Sequence, residues 1–180
     1  FCARFIGHKS FLQIAILSFF HYFTPMFKKR ESVFEIEEGK FLSPKFDDKG
    51  LIPVTVTDHK SGEVLMHGYM NEEALKLTIE KKEACYWSRS RNALWHKGKT
   101  SGFVQKVIDI RIDDDQDSLW MKVDIGDGAS CHVGYKSCFY RSIPLGKINN
   151  SERVELKFKE KEKKFDPKKI YKGQPNPTKL

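Results

Sequence analysis

Two alternating apolar runs flank an acidic pentapeptide, and that arrangement limits the folds open to this chain more than any other feature. "VIDIRI", 107–112, and "LWMKVDI", 119–125, lie on either side of "DDDQD", Asp113 to Asp117. A period of two puts Ile108, Ile110 and Ile112 on one face of the first run and Asp109 and Arg111 on the other. In the second run it groups Leu119, Met121, Val123 and Ile125. Two such runs joined by a short polar tip predict an antiparallel hairpin. At an effective dielectric of 20 and a spacing of ~6 Å, two carboxylates repel by roughly 3 kcal/mol; fully solvated, the figure falls below ~1. A wet, solubilising turn tolerates that. The alternative is a ligand. On an extended tip Asp113, Asp115 and Asp117 point to similar sides and converge on one hard cation. An EF-hand loop is a poor match, since Ser118 stands where Gly is needed, Asp124 where Glu is needed, and the flanks are strands.

The rest of the middle supports a β-rich α+β domain. "LIPVTVTD", 51–58, and "EVLMHGYM", 63–70, read as a hairpin around "DHKSG". "MNEEALKLTIEKKE", 70–83, is the one clear helix. Asn71 is its N-cap, Glu72 and Glu73 occupy the first turn, and Met70 and Leu75 stand at the staple positions. Ala74, Leu75, Thr78 and Ile79 form its apolar face. "ACYWSRS" resumes strand character, "RNALWHKGKTSG" reads as a loop, and "CHVGY" and "CFYRSI" continue the strand pattern. The domain spans 31–146, an ordinary size for one core.

Charge separates this domain from its ends. The formal charge is +8, yet 31–146 holds sixteen basic and nineteen acidic residues. The excess lies in 1–30, with five Lys/Arg and no acid, and in 147–180, with eleven against five. A nucleic-acid reader concentrates positive charge on its folded domain, so no nucleic-acid partner is expected. "FLQIAILSFF" is too short to span a bilayer, and no membrane partner is expected either. Residues 1–30 read as an N-terminal extension: translation upstream of Met26, the first methionine, or a targeting segment. The Lys/Glu-rich and then Pro-rich segment 147–180 reads as a basic, disordered tail. Four cysteines, Cys2, Cys85, Cys131 and Cys138, are too few and too irregularly spaced for a disulfide scaffold. Free thiols in a reducing, cytoplasmic setting are expected.

Two further stretches carry chemistry. In "SCHVGYKSC", Cys131 and Cys138 are seven apart, a weak metal signal alone, and buried thiols are the plain alternative. His132 beside Cys131 can act as ligand, base or simple polar group. In "YWSRSRNALWHKGKTSG", Arg and Lys alternate with Tyr86, Trp87 and Trp95, a mixture suited to a phosphorylated, planar ligand. A charged surface loop with its aromatics turned inward would read the same way.

Residues 64–143 resemble phosphoribosyl-AMP cyclohydrolase, a histidine-biosynthesis family. The blocks "VLMHGYMNEEAL", "YWSRSRNALWHKGKTSG", "VQKVIDIRIDDDQD" and "SCHVGYKSCFYR" occur in order and nearly ungapped. The resemblance implies a compact α+β subunit, an intertwined homodimer with active sites between subunits, and a phosphorylated purine nucleotide as substrate. It also implies Mg2+ on Asp113, Asp115 and Asp117, and Zn2+ on three cysteines, two of them Cys131 and Cys138. The family's third cysteine falls where this chain has Asp114. Asp and Cys both supply one negative charge at similar zinc distances, so Asp114 is the expected third zinc ligand and Cys85 the fallback. A harder ligand leaves the metal more Lewis-acidic and less tightly held.

The chemistry expected is hydrolytic opening of the adenine ring of phosphoribosyl-AMP by a zinc-activated water attacking C6. His132 is the first candidate for proton transfer and His96 the second. Arg89, Arg91, Trp95, Lys97, Lys99, Thr100 and Ser101 are the expected substrate-binding set. A pyrophosphohydrolase domain, which follows in many family members, would not fit in what remains after Ile143, so a monofunctional form is expected. Asp114 also admits a related nucleotide hydrolase of changed specificity, or a non-catalytic metal- or nucleotide-binding module.

Overall fold

A four-stranded mixed sheet carries the acidic tip. In the computed structural model, which describes residues 26–146, 153–174, 176 and 178, the sheet order is β2-β1-β6-β5. The expectations for residues 1–25 lie outside the described residues. β1 (Ile52–Asp58) and β2 (Val64–Met70) form the expected antiparallel hairpin, and β5 (Lys106–Ile112) and β6 (Leu119–Asp124) form the one that ends in "DDDQD". β1 runs parallel to β6, so the two hairpins meet through their first and second strands respectively. Leu119, Met121 and Val123 bury one face of β6, as the alternation predicts, against Ile52, Val54 and Val56 of β1. Each such side chain, fully buried, contributes about 1.5–3 kcal/mol.

The α-helix Glu72–Lys81 packs beside this core. It follows a helix of one turn, Val33–Glu37, and is α2 in chain order. The Asn71 side chain accepts from the Ala74 N–H at 2.8 Å, and Lys82 ends the helix in a left-handed conformation. Met70, Ala74, Leu75 and Thr78 are buried, while Ile79 stays exposed. Thr78 fastens the helix to the next strand: its Oγ1 donates to the Ala74 carbonyl and accepts from the Cys85 N–H at 3.0 Å.

Three local expectations are corrected. First, β5 contains a bulge between Val107 and Asp109, so Ile108 is 57% exposed while Val107, Ile110 and Ile112 pack on the core. One inserted residue reverses the parity of everything before it. Second, part of the supposed loop is a strand: β4 (Ala93–His96) pairs antiparallel with β3 (Cys85–Ser88), the turn closing through Asn92 at positive φ. Third, "CHVGY" is a turn, and "CFYRSI" contributes only the two-residue strand β7 (Arg141–Ser142).

The C-terminal segment also departs from expectation. β8 (Lys157–Phe158) pairs with β7, and the one-turn helix α3 (Pro167–Ile170) follows. Phe158 packs on Tyr140, itself stacked on Tyr135 at 4.1 Å, and Phe165 stacks on Phe103 at 4.9 Å. A few spaced aromatics dock a segment whose mean composition is that of a solvated tail. No described helix is long and apolar enough to cross a membrane.

Candidate metal and nucleotide site

The "DDDQD" tip is clamped by the N-terminal part of the domain. Asp113 Oδ1 accepts from the N–H groups of Asp117 and Ser118, both at 2.9 Å, which curls the tip instead of leaving it extended. Gln116 sits at positive φ and is buried. Its Oε1 accepts from the Ser43 N–H at 2.7 Å, its Nε2 donates to the Ile36 carbonyl, and its own carbonyl accepts from the Lys45 N–H. Arg30 donates to the carbonyls of Ser43 and Asp115. One carboxylate oxygen from each of Asp113, Asp115 and Asp117 lies within 4.8 Å of the others. Three oxygens so gathered match the donor chemistry of a hard divalent cation. Asp114 is exposed and stands outside this group. Part of the repulsion is offset from within: the Lys45 ammonium lies 3.2 Å from Asp117 Oδ2 and 3.5 Å from Asp115 Oδ2. The hydrogen bond and charge of Asp117, joined by Asp115, hold its pKa above the usual lysine value.

The thiols meet beside β2. Residues 130–136 form a tight turn, with Ser130 N–H donating to the Lys136 carbonyl and Cys131 N–H to that of Tyr135. Cys138 is tied to β2 by its N–H donating to the Leu65 carbonyl at 2.7 Å. The two thiols hydrogen-bond to each other. That bond drives the Cys131 pKa down to about 6 against the opposing effect of burial, with the Val133 N–H and the Lys97 charge assisting. Cys138 keeps the shared proton, and its pKa is raised by that hydrogen bond and by burial. The residue is exposed, but its sulfur is among the crowded groups. A thiolate beside a thiol suits a soft or borderline metal. Among the described residues, no third ligand joins this pair within one chain.

Lys97 belongs to the thiols more than to the surface. It is only 4% exposed; burial lowers its pKa, and Cys138 and Cys131 oppose that shift. Next to it, Gly98 adopts φ +88°, where a Cβ would come within 2.4 Å of Phe103 C and Val104 N, so the turn needs glycine. Below the thiols runs a buried chain that sequence reasoning missed. The Tyr86 hydroxyl donates to Gln105 Oε1 at 2.6 Å, and Gln105 Nε2 donates to Ser130 Oγ at 2.9 Å. A lone glutamine among loop residues carries no signal of such a role. His132, half-buried, has its pKa lowered by burial and by the Lys97 charge, against an opposing hydrogen bond with Asn176.

The remaining residues divide into groups. Arg89 lies over the Tyr69 ring at 3.9 Å, and Arg91 bonds Ser88 Oγ and lies over Trp95. Both lie in the β3–β4 turn, whereas Lys97, Lys99, Thr100 and Ser101 follow the other end of β4, separated by ~13 Å of strand. Lys99 and Thr100 are exposed, and Ser101 Oγ accepts from the Phe103 N–H. Tyr86 pairs with Trp95 across the hairpin and Cys85 with His96, so the latter two share the opposite face. His96 Nε2 there lies 2.8 Å from Glu83 Oε2, although not in hydrogen-bond geometry. Cys85 is buried with its pKa raised by that burial. Neither is gathered with Cys131 and Cys138.

The stretch that holds these residues matches known proteins. The family model described as phosphoribosyl-AMP cyclohydrolase matches residues 66–140, which include the tip and both thiols. The chain is 52% identical over 137 residues to a protein of that name from Rhodopseudomonas palustris (strain TIE-1), covering 76% of this chain and 89% of the relative. It is 47% identical over 140 residues to one from Nitrobacter winogradskyi, covering 78% and 94%. A Brucella canis protein of the same name is 56% identical over 109 residues, 60% of this chain and 78% of the relative.

Proposed function

The chain belongs to the phosphoribosyl-AMP cyclohydrolase family, and from that premise we propose that it opens the adenine ring of phosphoribosyl-AMP by hydrolysis with zinc and magnesium bound. The observation that carries the zinc assignment is the Cys131–Cys138 pair, one thiol of which ionises at about 6. Zinc held there supplies Lewis acidity that brings the pKa of a water near neutrality. The residues do the rest. Water oxygen bonds to C6, the N1–C6 bond breaks, and both protons leave that oxygen, one to N1 and one to the exocyclic nitrogen on C6, which becomes the carboxamide nitrogen. His132, kept neutral by burial and by Lys97, can take the proton bound for N1 and hand it on. Arg89 and Arg91 are assigned to one phosphate, and Lys99, Thr100 and Ser101 to another, with Trp95 as a stacking surface. Lys97 acts on the thiols instead.

Magnesium is assigned to Asp113, Asp115 and Asp117, whose oxygens are already gathered. Asp114, exposed at the same tip, would complete the zinc ligands from a second copy of the chain, which is why a homodimer is part of the proposal. A cytoplasmic setting suits the free thiols. A cation entering the tip competes with the Lys45 ammonium for Asp115 and Asp117. Lys45→Met is therefore expected to tighten Mn2+ binding roughly five-fold at low salt, less at high salt. Isothermal titration calorimetry checks this, and an unchanged Kd removes Lys45 from the account. The overall reaction is tested by supplying phosphoribosyl-AMP to the purified protein with both metals and following the ultraviolet change of ring opening. No change refutes the assignment.

A further inference from the structure

Glu160 stands out in the C-terminal segment. From 153 to 164 it is the one residue that is not exposed. Its Oε2 accepts from the Lys136 N–H at 2.7 Å and its Oε1 from the Ser137 N–H at 2.9 Å. Both donors lie in the loop between Cys131 and Cys138. Ser137 is buried, and its Oγ donates to the Val64 carbonyl, so the loop is held by β2 on one side and by Glu160 on the other. Nearby, the Lys164 N–H donates to the Gly134 carbonyl at 2.7 Å. A Cβ on Gly134 would meet the Phe165 carbonyl oxygen at 2.4 Å, so glycine at that position lets the segment lie directly on the turn.

We propose that Glu160 is a positioning residue for metal binding: its carboxylate fixes the backbone between Cys131 and Cys138 so that the two thiols stay convergent. The inference rests on the zinc assignment above. A role in activating the thiols by charge is the wrong sign, because a carboxylate at this place opposes ionisation of both. What remains is geometry. Two part-buried N–H groups lose their acceptor if the carboxylate goes, and an unsatisfied group of that kind favours rearrangement of the backbone.

The test compares Glu160→Ala, Glu160→Gln and the exposed control Glu162→Ala in the full chain. Zinc affinity is read by competition with a chromogenic chelator, and amide exchange at Lys136 and Ser137 is read on the metal-free protein. Loss of a supporting hydrogen bond usually costs 10–100-fold in metal affinity. Glu160→Ala should lose that much and exchange both amides faster. Glu160→Gln, which keeps one acceptor oxygen, should lose less, and it serves alone if the alanine variant does not fold. Glu162→Ala should match wild type. Zinc binding by Glu160→Ala within about three-fold of wild type, or equal losses in the Glu162 control, overturns the inference. Wild type that holds no zinc, with Cys131→Ser indistinguishable from it, overturns the zinc assignment and this inference together.

Discussion

His132→Ala is expected to lower kcat by ~10²–10⁴-fold, the usual contribution of a positioned acid–base group. Zinc content should not change, because the imidazole is not one of the assigned ligands. The side chain is half-buried on the turn that begins at Cys131, and its pKa lies below the ordinary imidazole value because burial and the Lys97 ammonium disfavour its charged form. Above that lowered pKa the ring is neutral and can accept a proton. The acid limb of kcat against pH should therefore fall below the ordinary histidine range, and the variant should lose that limb. Steady-state kinetics across pH on metal-loaded protein would check both. Turnover within a few-fold of wild type would remove His132 from the mechanism.

Cys131→Ser is the second large effect. The hydroxyl cannot ionise in this range, so the variant loses the one thiol whose pKa is depressed to about 6, and Cys138 loses its hydrogen-bond acceptor sulfur. Tightly bound zinc should be lost and turnover should fall below detection. In metal-free wild type, thiolate absorbance should rise as pH passes about 6, roughly two to three units below an ordinary thiol, and that step should be missing from the variant. Elemental analysis and an ultraviolet pH titration give independent readings. Unchanged zinc stoichiometry would show that the metal, if bound, sits elsewhere.

The sequence made the two hairpins, the α2 cap and the acidic tip readable because all of these are local: alternation, an Asn71 cap and a polar turn need no distant partner. The β5 bulge was not readable, since Ile108, Ile110 and Ile112 alternate identically whether or not one residue is inserted among them. Lys97 sits in a glycine- and lysine-rich stretch that reads as surface, and only its tertiary neighbours, the thiols, reveal its burial. The block around His96 does not reveal which face the ring takes; pairing puts it on the side of Cys85, 2.8 Å from Glu83 Oε2. Docking of the C-terminal segment is hidden in the sequence for a related reason. Its docking depends on Phe158, Glu160 and Phe165 singly, and an average over a charged segment hides single contacts.

The clamp on Gln116 has a consequence for any attempt to isolate the acidic tip. A synthetic hairpin of β5 and β6 would contain Asp113, Asp115 and Asp117 and still lack their arrangement. The geometry depends on Ile36 and Ser43, which lie more than seventy positions earlier in the chain, and on the Arg30 contact to Asp115, which is 85 positions away in sequence. Contacts that distant in sequence form only after a long loop has closed, and they slow folding accordingly. The cation affinity proposed for this tip therefore depends on docking of residues 30–45 against it, and a newly made chain should acquire it only after that docking.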